Sequence, residues 1–313
     1  MSRPLLTRGA WLASGAAAAA VTSTHSRAAA QTLDAISVGL GLIESHAEGY
    51  YAQERGFFTK HGLNVTLKQL RNGATIAAAV ASGDLQAGCS TILQLVQARG
   101  RNVPFALIAA GAVHDGRIAH TDALAVAAAS HITTVKDLNG KIVAVSTLNG
   151  LDQLVTAALV DKYGGDSSTL KFVELSPPSM LEALAQGRID AASMENPELA
   201  EAGTRIRSLG DGEDAIAQRF VTTAWFTNAD WLAKNASIAQ RFAQAIFDAG
   251  TWANANPAGA ALLLQKYLHF TEARATQRFA TRNIQSEIAP LAQAAVNYKF
   301  APAPGLELIR GIG

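Results

Sequence analysis

The sequence is short of charge, of aromatic rings and above all of cysteine. Only 16% of its 313 residues are Asp, Glu, Lys or Arg, and the formal net charge is +1. That leaves no basic stripe of the kind that binds nucleic acid or an anionic membrane. The one cysteine, Cys89, cannot make an intrachain disulfide, which leaves it as a core thiol or a site thiol. Enzyme signatures are also missing: there is no Gly-x-Ser-x-Gly elbow, no Gly-x-x-x-x-Gly-Lys-Ser/Thr loop and no His-Glu-x-x-His spacing. Ser, Pro and Glu do not dominate, so nothing in the composition points to disorder.

With 49% hydrophobic residues, rich in alanine, the chain can bury a sizeable core as one domain or two. Its beginning reads as an export signal. Arg3 and Arg8 precede an apolar run from Gly9 to Val21, and Ala28, Ala29 and Ala30 supply the small residues that a signal peptidase requires. The run is too short to span a bilayer of ~30 Å as a helix. Arg3 is followed by Pro4 rather than by a second arginine, which argues against twin-arginine export, and no cysteine lies near the cleavage point to carry a lipid. Cleavage after Ala30 would start the mature chain at Gln31 and, by removing Arg3, Arg8 and Arg27, take the net charge to −2.

The stretch from Tyr50 to Leu67 holds a short helix, its stop signal and a strand. Gly56 is placed to end the helix in a left-handed cap, with Phe57 and Phe58 burying where the chain reverses. Leu63, Val65 and Leu67 then alternate with polar residues at the period of a half-buried strand. With an earlier strand over Ile36 to Leu42 this makes a βαβ unit, whose loops at the carboxyl ends of strands are where α/β folds place ligands. Further on we expect an alanine-rich helix from Ala74 to Ser82, a strand over Leu85, Ala87 and Cys89, a strand from Phe105 to Ala109, and a loop from Gly111 to Arg117. Asp122 to Ala129 reads as a strand crossing into a second lobe. Strands follow at Ile142 to Val145, Phe172 to Leu175 and Ile189 to Met194, with a return strand at Val221 to Phe226. Beyond Asn228 the pattern is helical to about Ile288 and is expected to pack against the first lobe. There is no internal sequence repeat.

The run Ala52, Glu54, Gly56, Phe57, Phe58, Lys60, Gly62, Leu63, Val65, Leu67 resembles the signature of the solute-binding proteins of ABC importers for nitrate, sulfonates, taurine and thiamine-pyrimidine precursors. Further matches stand at Ala81 to Gly88, Thr134 to Lys141 and Ala183 to Ala192, in the family's order. The resemblance implies an α/β, two-lobe periplasmic binding protein fold of type II, with residues 31–125 and 222–313 in the first lobe and 126–221 in the second. It also implies a small ligand held between the lobes, an inner-membrane permease as partner, a monomeric periplasmic protein, and neither enzymatic activity nor a cofactor. Two other readings fit the residues: a secreted enzyme with a dispersed site, and a ligand-sensing domain that docks on a membrane receptor.

Candidate ligand contacts fall in the expected loops. Glu44, Ser45, His46, Ala47 and Glu48 set two carboxylates and an imidazole at alternating positions, so in an extended loop they would face one side and suit a cationic or N–H-rich ligand. A metal there lacks a second His or Cys cluster at ligand spacing. Glu48 reads equally as a solvated helix entry. Ser90 with Thr91, and Ser146, Thr147, Asn149 and Gly150, sit where helices begin and offer hydroxyls and free N–H groups to an anion, although capping alone accounts for them. His114 and Asp115 share that position, with an ordinary surface loop as the simpler reading. Glu195 and Asn196 end a strand just before Pro197, where the family touches its ligand. Against these acids the loops carry only Arg117, so the ligand is expected to bring N–H groups or positive charge.

Overall fold

Alternation of buried and exposed side chains sets the first strands. In the computed structural model, which describes residues 32–118, 122–195, 198–268 and 275–302, β1 (Asp34–Leu40) buries Val38 and Leu40 completely. The chain then turns through a 3-10 segment (Glu44–His46) into α1 (Glu48–Glu54) and α2 (Phe57–Lys60). Gly56 separates the two helices at φ +69°, the left-handed conformation expected of it. Phe58 is buried, its ring 5.6 Å from that of Phe242. β2 (Leu63–Gln69) returns parallel to β1, paired from Asp34↔Leu63 to Leu40↔Gln69. Next come α3 (Gly73–Ser82), whose first turn is capped by the Asn72 side chain, β3 (Ala87–Thr91), α4 (Ile92–Gly100) and β4 (Phe105–Ala110).

β5 (Ala112–Asp115) lies where a loop was expected. Its four residues are all buried, and the backbone hydrogen bonds that burial demands are met by strand pairing. The chain continues through β6 (Asp122–Ala127), β7 (Ile142–Val145), α5 (Leu151–Lys162), β8 (Lys171–Glu174), α6 (Pro177–Ala185), β9 (Ala191–Glu195), α7 (Glu198–Ala202) and β10 (Ile206–Ser208). β11 (Arg219–Val221) and β12 (Thr223–Asn228) lead to α8 (Ala229–Ala255), α9 (Pro257–Leu268), β13 (Arg278–Phe279) and α10 (Gln285–Asn297). The expected helical tail is therefore interrupted by β13, and α10 runs past Ile288.

These strands form two five-stranded sheets of the same plan. The first has the order β2-β1-β3-β12-β4, with β12 antiparallel to both neighbours; the second has the order β10-β6-β9-β7-β8, with β6 antiparallel to both neighbours. In each, the remaining pairs are parallel. The likeness between the halves is thus one of topology without a sequence repeat. β6 lies wholly in the second sheet and β12 wholly in the first, so neither is the crossing strand expected from sequence. The crossing is made by β5 and β11, which pair antiparallel from Val113↔Val221 to Asp115↔Arg219, with β13 on the other side of β5.

α8 packs on the first sheet as expected, placing Phe242, Ala245 and Ile246 against Val38, Leu40 and Trp225 in one core. A second core joins α4 and α10 to Phe226 and includes Leu154 of α5. Among the described residues no helix is long and apolar enough to cross a membrane.

Candidate functional site

The carboxyl ends of β1, β3 and β7 carry loops singled out above that are ordered by contacts of their own, and β9 ends at Glu195. The first differs most from expectation. Glu44 to Glu48 is not extended: the 3-10 segment and the start of α1 turn its side chains in three directions. Glu44 accepts from the backbone N–H groups of Thr276 (2.8 Å) and Gln277 (3.0 Å) and from the Thr276 hydroxyl (3.2 Å). Burial raises its pKa and those three bonds oppose the rise. Its carboxylate ties the β1 loop to the segment before β13.

His46 is buried, and its Nδ1 accepts from the Gly41 N–H at 2.8 Å. Burial lowers its pKa to about 4, so the ring is neutral near pH 7 and carries its proton on Nε2 as a donor. Ser45 is half-buried and its carbonyl accepts from the Thr223 hydroxyl at 3.3 Å. Glu48 is neither solvated nor in a loop. It is wholly buried, with Oε2 accepting from Trp225 Nε1 at 2.7 Å and Oε1 without a hydrogen-bond partner. Burial pushes its pKa well up, opposed only by the Trp225 bond, so the group is a neutral acid near pH 7.

At the end of β3, Thr91 is the N-cap of α4, its hydroxyl accepting from Gln94 N at 3.2 Å. Ser90 is not a cap: it is buried in the strand, opposite Ala224, and donates to the Gln94 side chain. Gly73, at the start of α3, lies against the same pair, so a Cβ there would overlap Gln94 Oε1 and Ser90 Oγ. Gly73 and Gln94 were missed in the sequence because neither looks unusual where it stands.

The loop after β7 has three of its N–H groups taken by side chains. Ser146 N donates to Asp152, Leu148 N to Glu174 Oε2 (3.0 Å) and Asn149 N to Gln153 Oε1 (2.7 Å). The Asp152 carboxylate thus occupies the start of α5, where an anion was expected, and burial raises its pKa against the Ser146 bonds. Asn149 adopts φ +59°, and its carbonyl accepts from Gln97 Nε2 of α4 at 3.0 Å, a direct bridge between the two sheets' helices. Gly150 is the N-cap residue of α5 and packs on Thr147.

Glu195 ends β9 with its side chain open to solvent yet surrounded by acids. Its pKa is raised to about 7 by desolvation, then by the charges of Asp152, Glu198, Glu213 and Glu44. Glu44 belongs to the β1 loop and the others to the second sheet's connections, so this field draws on both halves of the molecule. Asn196 lies outside the described residues.

His114 and Asp115 are not in a surface loop. Both lie in β5 and both are buried. His114 donates from Nδ1 to Glu213 Oε2 (2.8 Å) and from Nε2 to Asp214 Oδ1 (2.9 Å). Burial opposes its charge, but Glu213, Asp214 and Asp211 outweigh that effect and raise its pKa to about 9. Asp115 binds Arg117 at 2.7 and 2.8 Å and Arg219 at 2.9 Å, and the Arg117 bonds hold its carboxyl far below the usual range. Arg117, the one cation of the expected loops, is therefore already neutralised. Cys89 is fully buried opposite Trp225, and burial together with Glu48 pushes its thiol up, which leaves it a core thiol rather than a nucleophile.

A family model described as NMT1/THI5 like matches residues 43–260. The taurine-binding periplasmic protein of Escherichia coli K12 is 27% identical over 226 residues, covering 71% of this chain and 68% of that protein. The 4-amino-5-hydroxymethyl-2-methylpyrimidine phosphate synthase of Aspergillus parasiticus is 23% identical, covering 69% of this chain and 65% of that enzyme. In fold the chain is similar to the periplasmic aliphatic sulphonate binding protein of Escherichia coli, with a TM-score of 0.72, 16% identity, and 88% and 91% of the two chains covered.

Proposed function

Because the chain belongs to the NMT1/THI5-like family, we propose that it is an exported solute-binding protein that captures a small nitrogen-bearing molecule between its two sheets and passes it to an ABC permease. The observation that carries this reading is the acidic field at Glu195, to which the charges of Asp152, Glu198, Glu213 and Glu44 contribute. These charges disfavour the ionised form of Glu195, and a protonated amine or an N–H-rich ring placed beside it relieves that repulsion. An anion would meet repulsion there, and the Ser146, Leu148 and Asn149 N–H groups after β7 are already bonded. His46 Nε2 supplies a neutral donor at the β1 side. A ligand with an amine at one end and an acidic oxygen group at the other, of the aminosulfonate kind borne by the taurine-binding relative, fits this division.

In this reading residues 1–30 are a signal peptide removed on export to the periplasm, and the mature chain works as a monomer. The lobe boundaries move from 125/126 and 221/222 to the crossing strands, so that the segment from β6 to β10 makes the second lobe and closure turns on β5 and β11. Turnover of substrate is not part of the reading, and the buried Cys89 offers no exposed thiol. Calorimetric titration with taurine, ethanesulfonate and nitrate tests it. Taurine is expected to bind, with affinity rising from pH 5.5 to 8 as Glu195 ionises through about 7 to pair with the ammonium. Preference for ethanesulfonate or nitrate over taurine would refute it.

A further inference from the structure

His114, Asp211 and Glu213 come from segments about a hundred residues apart, yet one donor atom from each lies within 4.8 Å of the others. All three are more than nine-tenths buried. Such a group is unlike a scatter of surface acids, because an imidazole and two carboxylates converge with little water between them. The surroundings are those of a ligand set. The far ring nitrogen of His114 donates to Asp214 Oδ1 at 2.9 Å, the carboxylate–histidine arrangement that fixes the ring of a metal-ligating histidine, and Asp211 Oδ1 accepts from the Glu213 N–H at 2.8 Å, which orients its carboxylate. Asp214 has a side chain 36% exposed and gives the cluster a side open to solvent.

We propose that His114 Nδ1, Asp211 and Glu213 bind a divalent transition-metal ion of the zinc type, joining β5 to the turn that follows β10. Nitrogen and carboxylate oxygen are ligands that zinc accepts at bonds of about 2.0–2.2 Å, with a fourth, tetrahedral position left for water. Donors around such an ion stand about 3.3 Å apart, so the 2.8 Å contact between His114 Nδ1 and Glu213 Oε2 must open by about half an ångström. On binding, the proton between these two atoms leaves to solvent and the ion takes its place. The ion would brace the crossing between the sheets, since β5 is one of its two strands. No feature of the sequence announces the site, because its ligands are distant in the chain. Glu213 also contributes charge to the field at Glu195, but zinc binding is read without any organic ligand and is therefore tested apart from what binds there.

The test is calorimetric titration of the chelator-treated whole chain with zinc chloride at pH 8, with Glu213→Gln, Asp211→Asn and His114→Gln beside it. His61→Ala is the control, since His61 pairs with Asp248 elsewhere on the molecule. One ion per chain is expected, with affinity reduced at least tenfold in each of the three variants and unchanged in the control. Circular dichroism verifies folding, and should His114→Gln not fold, the two carboxamide variants carry the test. No binding up to about 1 mM zinc, binding undiminished in Glu213→Gln and Asp211→Asn, or binding lost only in the control would each overturn the proposal.

Discussion

Glu48 offers the sharpest check on how the first lobe's core is held. It is fully buried, one carboxyl oxygen accepts from Trp225 Nε1 at 2.7 Å, and the other has no hydrogen-bond partner. Among the described residues no ion pair reaches it, and burial drives its pKa well above 4.5, which favours the neutral acid in the folded protein. Glu48→Gln keeps a carbonyl for Trp225 and the same volume, and should change stability at pH 7 by no more than about 1 kcal/mol. Glu48→Ala strands the buried indole N–H of Trp225, at about 1–3 kcal/mol, and leaves a cavity beside that ring, for a total of about 3–5 kcal/mol. The pH dependence has a definite sign. A folded pKa above the unfolded one gives stability that is full below about 4.5 and is lost as pH rises toward the folded value, at up to about 1.4 kcal/mol per pH unit. Urea unfolding of wild type and both variants between pH 5 and 8 reads these quantities. Wild type should lose ground to Glu48→Gln as pH rises. If Glu48→Gln costs as much as Glu48→Ala, and the gap between wild type and Gln does not move with pH, Glu48 is ionised and the argument fails.

Glu44→Ala should lower stability by about 1–3 kcal/mol in the same assay, because the Thr276 and Gln277 N–H groups, which both donate to Glu44 Oε1, lose their acceptor; an unchanged midpoint would mean the tie is dispensable. Asp152→Ala should open the start of α5, so that sulfate raises the melting temperature of the variant more than that of wild type, and an equal rise in both would contradict the self-capping account. Gly73→Ala should displace the Gln94 side chain from Ser90 and weaken ligand binding severalfold, whereas full affinity would place the ligand elsewhere.

Much of the fold was legible because it follows from local rules. Gly56 needed a left-handed conformation, Leu63 and Val65 alternated with polar residues, Thr91 stood at a helix start, and each of these reads directly from neighbours in the chain. β5 was missed because four residues form too short a window for periodicity, and because its burial comes from β11 and β13, more than a hundred residues away. The acids of the β1 loop were misplaced for a related reason. An alternating pattern implies a shared side only if the backbone is extended, and Glu44 to His46 forms a 3-10 turn instead. What Glu44, Glu48 and His114 do depends on Thr276, Trp225 and Glu213, partners that no spacing rule connects to them. The excess of acid over base at the expected loops was readable in the sequence, and the neutralisation of Arg117 by Asp115 sharpens it.

The most direct test of the account compares taurine with ethanesulfonate, which differ by the amine alone, on wild type and Glu195→Gln at pH 8. The account predicts that wild type binds taurine at least tenfold more tightly than ethanesulfonate, and that Glu195→Gln erases most of that preference by weakening taurine alone. Equal affinities in wild type, or a preference that survives in Glu195→Gln, would contradict it.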